Sequence, residues 1–335
     1  MMQFEKKALY NLLRMNWLRD RSIEVEPWQV ENYRILSLET LFDRLEDFNV
    51  SMDRLSFLSY ASDFDSPEAL CEDLCDEDTE VEVYDQLYLI VFELWRRLLP
   101  EATSLSIFCD ELDHQIDLYD TEESAHPDDM QDALANLLNI LDENADEGGP
   151  AQEIFARIAA GCANELESFL YDYIAELIDN EDFTYAGELI EGFYPYVRDR
   201  SWFDFLRARL LAVTDMNAAN RIVKALLQDL LKEPDLDLLM EILSFMVQGG
   251  EPKLFMKVVH AVEGLMETEE EFQELLHTCA DFHRCLDHDY QERAIEEILS
   301  SRSEIDPQEP LDERDPDRIS LMRILELSYP PPSGV

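Results

Sequence analysis

Glycine and lysine are scarce in this 335-residue chain, with nine and six copies respectively. So few glycines exclude a many-stranded sheet joined by tight turns. No glycine-rich phosphate loop, Gly-x-Ser-x-Gly elbow or EF-hand spacing occurs, despite acidic clusters such as Asp76-Glu77-Asp78. No Cys-x-x-Cys occurs either, since Cys71 and Cys75 stand four apart. The longest apolar stretch, Leu87–Phe92 followed by Leu94-Trp95, is interrupted by Glu93 and is far too short to span a bilayer. A secretory apolar core is missing, because Met1 to Arg21 mixes charges through an amphipathic helix. These absences give the expectation of a soluble, cytoplasmic, non-enzymatic protein with no cofactor, its six cysteines reduced.

Positive charge is the other deficit: 26 basic residues face 76 acidic ones, for a net charge of −50. Binding to phosphate backbones or anionic lipid depends on Lys and Arg displacing counterions, so neither nucleic acid nor membrane is an expected partner. Basic proteins or cations are attracted instead. Hydrophobic residues still make up 46% of the chain, enough to bury a core and to argue against wholesale disorder.

What the sequence does hold is helical periodicity. Residues 1–62 read as two or three amphipathic helices, with Phe4, Ala8, Leu12 and Met15 on one face and Leu38, Leu41, Phe42, Leu45 and Phe48 on another. Residues 63–147 form a highly acidic helical region. In it Ser66-Pro67-Glu68 marks a helix start, Val83–Leu98 and Ser104–Tyr119 are helices, and Asp128–Leu141 follows His126-Pro127. Asp142–Pro150 is expected to be a loop and a domain boundary. The tail from Glu304 to Arg318, rich in proline and acid, reads as a linker. It leads into a short helix at Ile319–Leu327 and ends in Pro330-Pro331-Pro332, a weak polyproline motif.

Between 148 and 303 helices alternate. First helices fall near 168–179, 201–212 and 236–247, and second helices near 184–196, 217–231 and 252–265. A less regular pair follows at 270–286 and 290–300. Aligning Ala186, Ala219 and Leu254 gives offsets of 33 and 35 residues. Ile190, Val223 and Val258 then share a column four residues later, and Phe193, Leu226 and Ala261 share one seven later. This period resembles the tetratricopeptide repeat over residues of about 168–303. Phe203 and Leu206 stand where that family has its first-helix Trp and Leu, while Arg207 replaces its glycine and Leu254 its small alanine. The resemblance implies an all-α, right-handed helix-hairpin solenoid following an N-terminal helical region, with a concave surface that binds a peptide or protein without catalysis.

Two constellations are candidate sites. Residues 196–232 reverse the charge of the chain, with Arg198, Arg200, Arg207, Arg209, Arg221, Lys224 and Lys232 outnumbering four aspartates. Of these, Arg198, Arg200, Arg207, Arg209, Arg221 and Lys224 are the candidate partner-binding residues. Because first helices line the concave face in the resembling family, Arg200 and Arg207 would offer charge-assisted bonds to a carboxylate-bearing peptide. Pairing with neighbouring acidic helices, or with a tail folded back on the patch, is the alternative.

The second constellation is His277, Cys279, His283, Cys285 and His288, which has the residue types for zinc. On one continuous helix, Cys279 and His283 share the core face while His277 and His288 lie opposite, so the set does not converge. Two Glu-x-x-His units, Glu111–His114 and Glu274–His277, have the spacing of di-iron bundles but stand 163 residues apart. The leading expectation is therefore an adaptor, scaffold or chaperone-like protein. The alternatives are an acidic decoy that occupies a basic or nucleic-acid-binding protein through residues 61–147, and a metal-dependent helical enzyme.

Overall fold

The computed structural model describes residues 5–76, 78–121, 126, 128–312 and 314–328, with backbone alone for 327 and 328. Phe4, Glu77, Pro127 and the Pro330–Pro332 triplet lie outside the described residues. Those described are all-helical; the only extended pairing among them is a single bridge between Thr268 and Pro310. Two compact units form, one running through Leu170 and including Pro195–Arg198, the other comprising Tyr171–Tyr194 and the chain from Asp199 onward.

The first unit contains α1 (Glu5–Arg19), α2 (Leu38–Asp47), α3 (Arg54–Ala61), α4 (Pro67–Leu74), α5 (Val81–Leu98), α6 (Leu105–Asp120), α7 (Asp129–Asp146) and α8 (Ala151–Ala159). Helix α5 is its hub. Every residue from Leu87 to Trp95 is buried, because α2, α3 and α4 pack around it. A helix covered on several sides has no polar stripe to keep, which is why its sequence has the continuous apolar look of a strand. Helix α4 starts as the sequence indicates, with the Ser66 hydroxyl accepting from the Ala69 amide and Pro67 at the first helical position. Helix α7 carries on past Leu141 to Asp146, so the loop after it shrinks to residues 147–150 and lies within this unit.

Buried ions tie the N-terminal segment onto α5 and α6. Glu93 is held by Arg96 and Arg97. Arg97 also donates to the carbonyls of Tyr33, Arg34 and Leu36 at 2.6–2.9 Å. Asp110 is fully enclosed and receives Lys7, Arg34 and Asn11. Burial alone would raise its pKa, yet Lys7 and Arg34 hold it below the ordinary carboxylate range.

Helix α9 (Leu166–Asp179) spans the boundary between the units. After it come α10 (Phe183–Phe193), α11 (Arg200–Ala212), α12 (Met216–Leu230), α13 (Leu236–Met246), α14 (Pro252–Glu263), α15 (Glu269–Cys285), α16 (Asp289–Arg302) and α17 (Pro316–Ser328). The periodic helices thus appear within three residues of their expected ends. Helices α11 and α12, α13 and α14, and α15 and α16 form hairpins. First helices α11, α13 and α15 pack in succession, and second helices α12 and α14 pack beside each other.

The repeat columns supply the core. Ala186, Ala219 and Leu254 are buried, as are Ile190, Val223 and Val258. One continuous apolar cluster runs from Phe205 to Leu325. Aspartate starts four helices in a row: the side chains of Asp182, Asp199, Asp215 and Asp235 accept from amides in the first turns of α10 to α13. Each such cap is worth about 1 kcal/mol, so part of the acidic excess is structural.

The tail is not a free linker. The Glu269, Glu270 and Leu311 amides donate to Glu309, Pro307 and Glu267, which lays residues 307–311 along the start of α15. Helix α17 begins at Pro316, three residues before its expected start, with the Asp315 carboxylate accepting from the Asp317 amide. Leu321 and Leu325 enter the core, and Arg318 grips Glu263. Arg302 meets Glu269, Asp315 and Asp317 together. Thus α17 closes the apolar edge of the last hairpin, and Asp315 and Asp317 of the tail pair here with Arg302 rather than with the 196–232 patch. Leu321→Ala should cost about 2–5 kcal/mol in urea denaturation. Ile319→Ala, altering an exposed side chain of the same helix, should stay within about 0.5 kcal/mol.

Candidate partner-binding hollow

Stacking the hairpins leaves a hollow of about 740 Å³ on the first-helix side of the second unit. Tyr171, Ala175 and Ile178 of α9, Phe205 and Arg209 of α11 with Val213 just past its end, and Glu241, Ser244 and Phe245 of α13 with Gln248 just past its end face it. These sets follow the i, i+3, i+4, i+7 rhythm of one helix face. They lie on or just past first helices, whereas the core columns at Ala186, Ala219 and Leu254 lie on second helices; Phe183, at the start of α10, is the second-helix residue that also lines the hollow.

Aromatic rings make the floor. Phe205 and Phe245 meet edge to face, centroids 5.6 Å apart. Tyr171 stands edge-on to Trp202 at 4.8 Å, and the Trp202 indole N–H donates to Asp235 at 3.0 Å. Phe245 and Tyr171 are half-buried and Val213 is exposed, so apolar surface remains open in the hollow. The Tyr171 hydroxyl is buried without a partner among the described residues. Burial, with Glu241 adding, pushes its pKa up to about 12.

Charge in the hollow is one-sided. Asp172, Glu176, Asp179, Glu181 and Glu241 line it against Arg209 alone, and Arg209 is bonded to Asp179 at 2.7 Å. The acidic strip continues onto α15, where burial and then Glu241, Glu270, Asp237 and Glu271 raise the pKa of Glu274.

The basic residues singled out in the sequence are not gathered at this place. Arg207 stacks on the Tyr194 ring at 3.6 Å and bonds Glu191 and Asp204 at 2.9 and 3.2 Å. Arg200 lies over the same ring at 5.3 Å. Arg198 is exposed and belongs to the first unit. Arg221 and Lys224 sit exposed on the second helix α12, Arg221 3.9 Å from Asp215. Only Arg209 reaches the hollow. Tyr171, Glu241 and Phe245, which do face it, were legible only as members of a mixed polar and apolar helix face.

The histidine–cysteine cluster also takes a different form. Helix α15 ends at Cys285, and Asp287 adopts a left-handed φ of +57° that turns the chain back. His288 therefore leaves the polar face a continuous helix would give it and places its Nδ1 3.1 Å from Nδ1 of His283. Cys279 is buried, whereas His277 and Cys285 are exposed. Among the described residues no group of three or more His, Cys, Asp or Glu gathers as a metal site, and the six cysteines are unbridged. Of the Glu-x-x-His units, Glu111 is bonded to Arg34 and Arg96 in the first unit, and Glu274–His277 belongs to the second. A cavity of about 690 Å³ in the first unit is lined by the Lys7, Arg34, Arg96 and Asp110 network and by His114.

His283 is fully buried and its Nε2 has no partner among the described residues, which favours the neutral ring. Burial, then His288, lowers its pKa from 6.5 to about 4. A histidine with a depressed folded pKa contributes stability that is whole above pH 6.5 and is lost as pH falls toward 4. Between those limits wild type should lose up to about 1.4 kcal/mol more per pH unit than His283→Leu, read from denaturation midpoints of both proteins.

No helix of the described residues is long and apolar enough to cross a membrane. Compared with known proteins, the chain matches no family model, no curated protein and no solved structure.

Proposed function

We propose that this chain is a non-catalytic binding protein, an adaptor or chaperone-like holder, that captures a partner protein or peptide in the hollow of its helix-hairpin array. One observation carries the reading: first helices α9 and α13 leave Tyr171 and Phe245 half-buried in a shared concavity, with Val213 exposed at the end of α11 and Phe205 fully buried beneath, instead of closing over them. Apolar surface kept open in a concave site, with a few polar groups to orient an occupant, is the usual form of a recognition site. The repeat period and the tetratricopeptide resemblance support the same reading. Six unbridged cysteines fit a reducing, cytoplasmic setting.

Exposed Ser244 faces the hollow and exposed Gln228 lies on the second helix α12. With a photo-crosslinking amino acid at each position in turn, the partner should be trapped from position 244 and not from position 228. Equal trapping from both, or trapping from 228 alone, would rule the hollow out as the site of capture.

A further inference from the structure

The lysines of the array are sorted by layer, and the sorting bears on what the hollow holds. Four of the chain's six lysines lie on or just beyond second helices: Lys224 and Lys232 at α12, and Lys253 and Lys257 on α14, all exposed. First helices α9 and α13 carry no basic residue, and the three arginines of α11 are turned to Tyr194, Glu191 and Asp179. What remains in the concavity is an aromatic floor of Tyr171, Phe205 and Phe245 beneath a carboxylate rim that includes Glu181 and Glu241.

Resting on the binding role argued above, we infer that the occupant is a cationic amphipathic segment of a protein, one that sets an apolar side chain on the aromatic floor and Lys or Arg against the rim. A purely apolar segment would strip water from the carboxylates and offer them no partner. An acidic segment would add like charge to a surface that already crowds it. A cationic segment removes both penalties. On the neighbouring helix α15, burial and then Glu241, Glu270 and Asp237 raise the proton affinity of Glu274, in keeping with an acidic surface beside the hollow. The tetratricopeptide resemblance, read from the sequence, led to the opposite occupant, a carboxylate-bearing peptide held by Arg200 and Arg207. In the structure Arg207 is already engaged by Glu191 and Asp204.

The test is fluorescence anisotropy on the full chain with two labelled probes, a short amphipathic leucine–lysine peptide and its leucine–glutamate twin. The lysine peptide should bind and the glutamate twin should not. Glu181→Lys with Glu241→Lys should weaken the lysine peptide roughly tenfold or more. Glu143→Lys with Glu147→Lys, an equal charge change on the exposed surface of the first unit, should weaken it less than about twofold. Phe245→Ala should weaken it as well, with circular dichroism unchanged. Equal losses in the two double variants would mean that the overall field of the chain, not the hollow, holds the peptide, and would overturn the inference. No binding of the lysine peptide would also overturn it. Equal binding of both peptides, each weakened by Phe245→Ala, would overturn the charge preference while leaving the hollow as a binding site.

Discussion

Positive charge is the limiting material of this protein, and the fold depends on where it is placed. With 76 acidic residues and 26 basic ones, a cation spent on an exposed pair contributes little. The decisive ones reach buried or half-buried partners. Arg97 serves Glu93 and three carbonyls, Arg34 serves Asp110 and Glu111, and Arg302 serves Glu269, Asp315 and Asp317. Each stands where separate segments meet: the N-terminal segment on α5 and α6, or the tail on the last hairpin. Removing such a cation leaves buried carboxylates unpaired, which costs far more than the pair itself contributes. The same scarcity explains why the hollow is acidic, since the arginines of α11 are consumed within the array.

Acidity in turn has several separate physical origins. Aspartates at helix starts satisfy amides and suit the helix dipole. Buried carboxylates such as Asp110 anchor cationic joints. Asp113, also buried, accepts from the Ala163 and Asn164 amides and fixes the turn before α9. The carboxylates of the concave face do neither job as a group. They crowd together on one side of the array, at a cost in repulsion that the stacking of apolar columns outweighs.

Much of this architecture could be read from the sequence, because helix periodicity and column spacing are local signals. Ala186, Ala219 and Leu254 align by counting, and their burial follows from the stacking. The Ser66-Pro67 start and the span of α5 follow from short-range chemistry. What could not be read depends on tertiary distance. Glu191 lies 16 residues from Arg207, and nothing local says that Arg207 would bond it while lying over the Tyr194 ring. The reversal at Asp287, which brings His288 to His283, depends on one left-handed residue. The acidic hollow was hidden for the same reason: its carboxylates are ordinary residues of α9 and α13 until the two helices are set side by side with α11.

The lysine layout has a practical corollary for anyone attaching this protein to a surface or a dye. Amine-directed coupling to the array can occur only at Lys224, Lys232, Lys253 or Lys257, all exposed at the second-helix layer. Immobilised through those side chains, the array would turn its convex back to the support and leave the aromatic floor facing solution. For the array, four of the chain's six lysines thus present one layer to the support, the other two being Lys6 and Lys7 of α1.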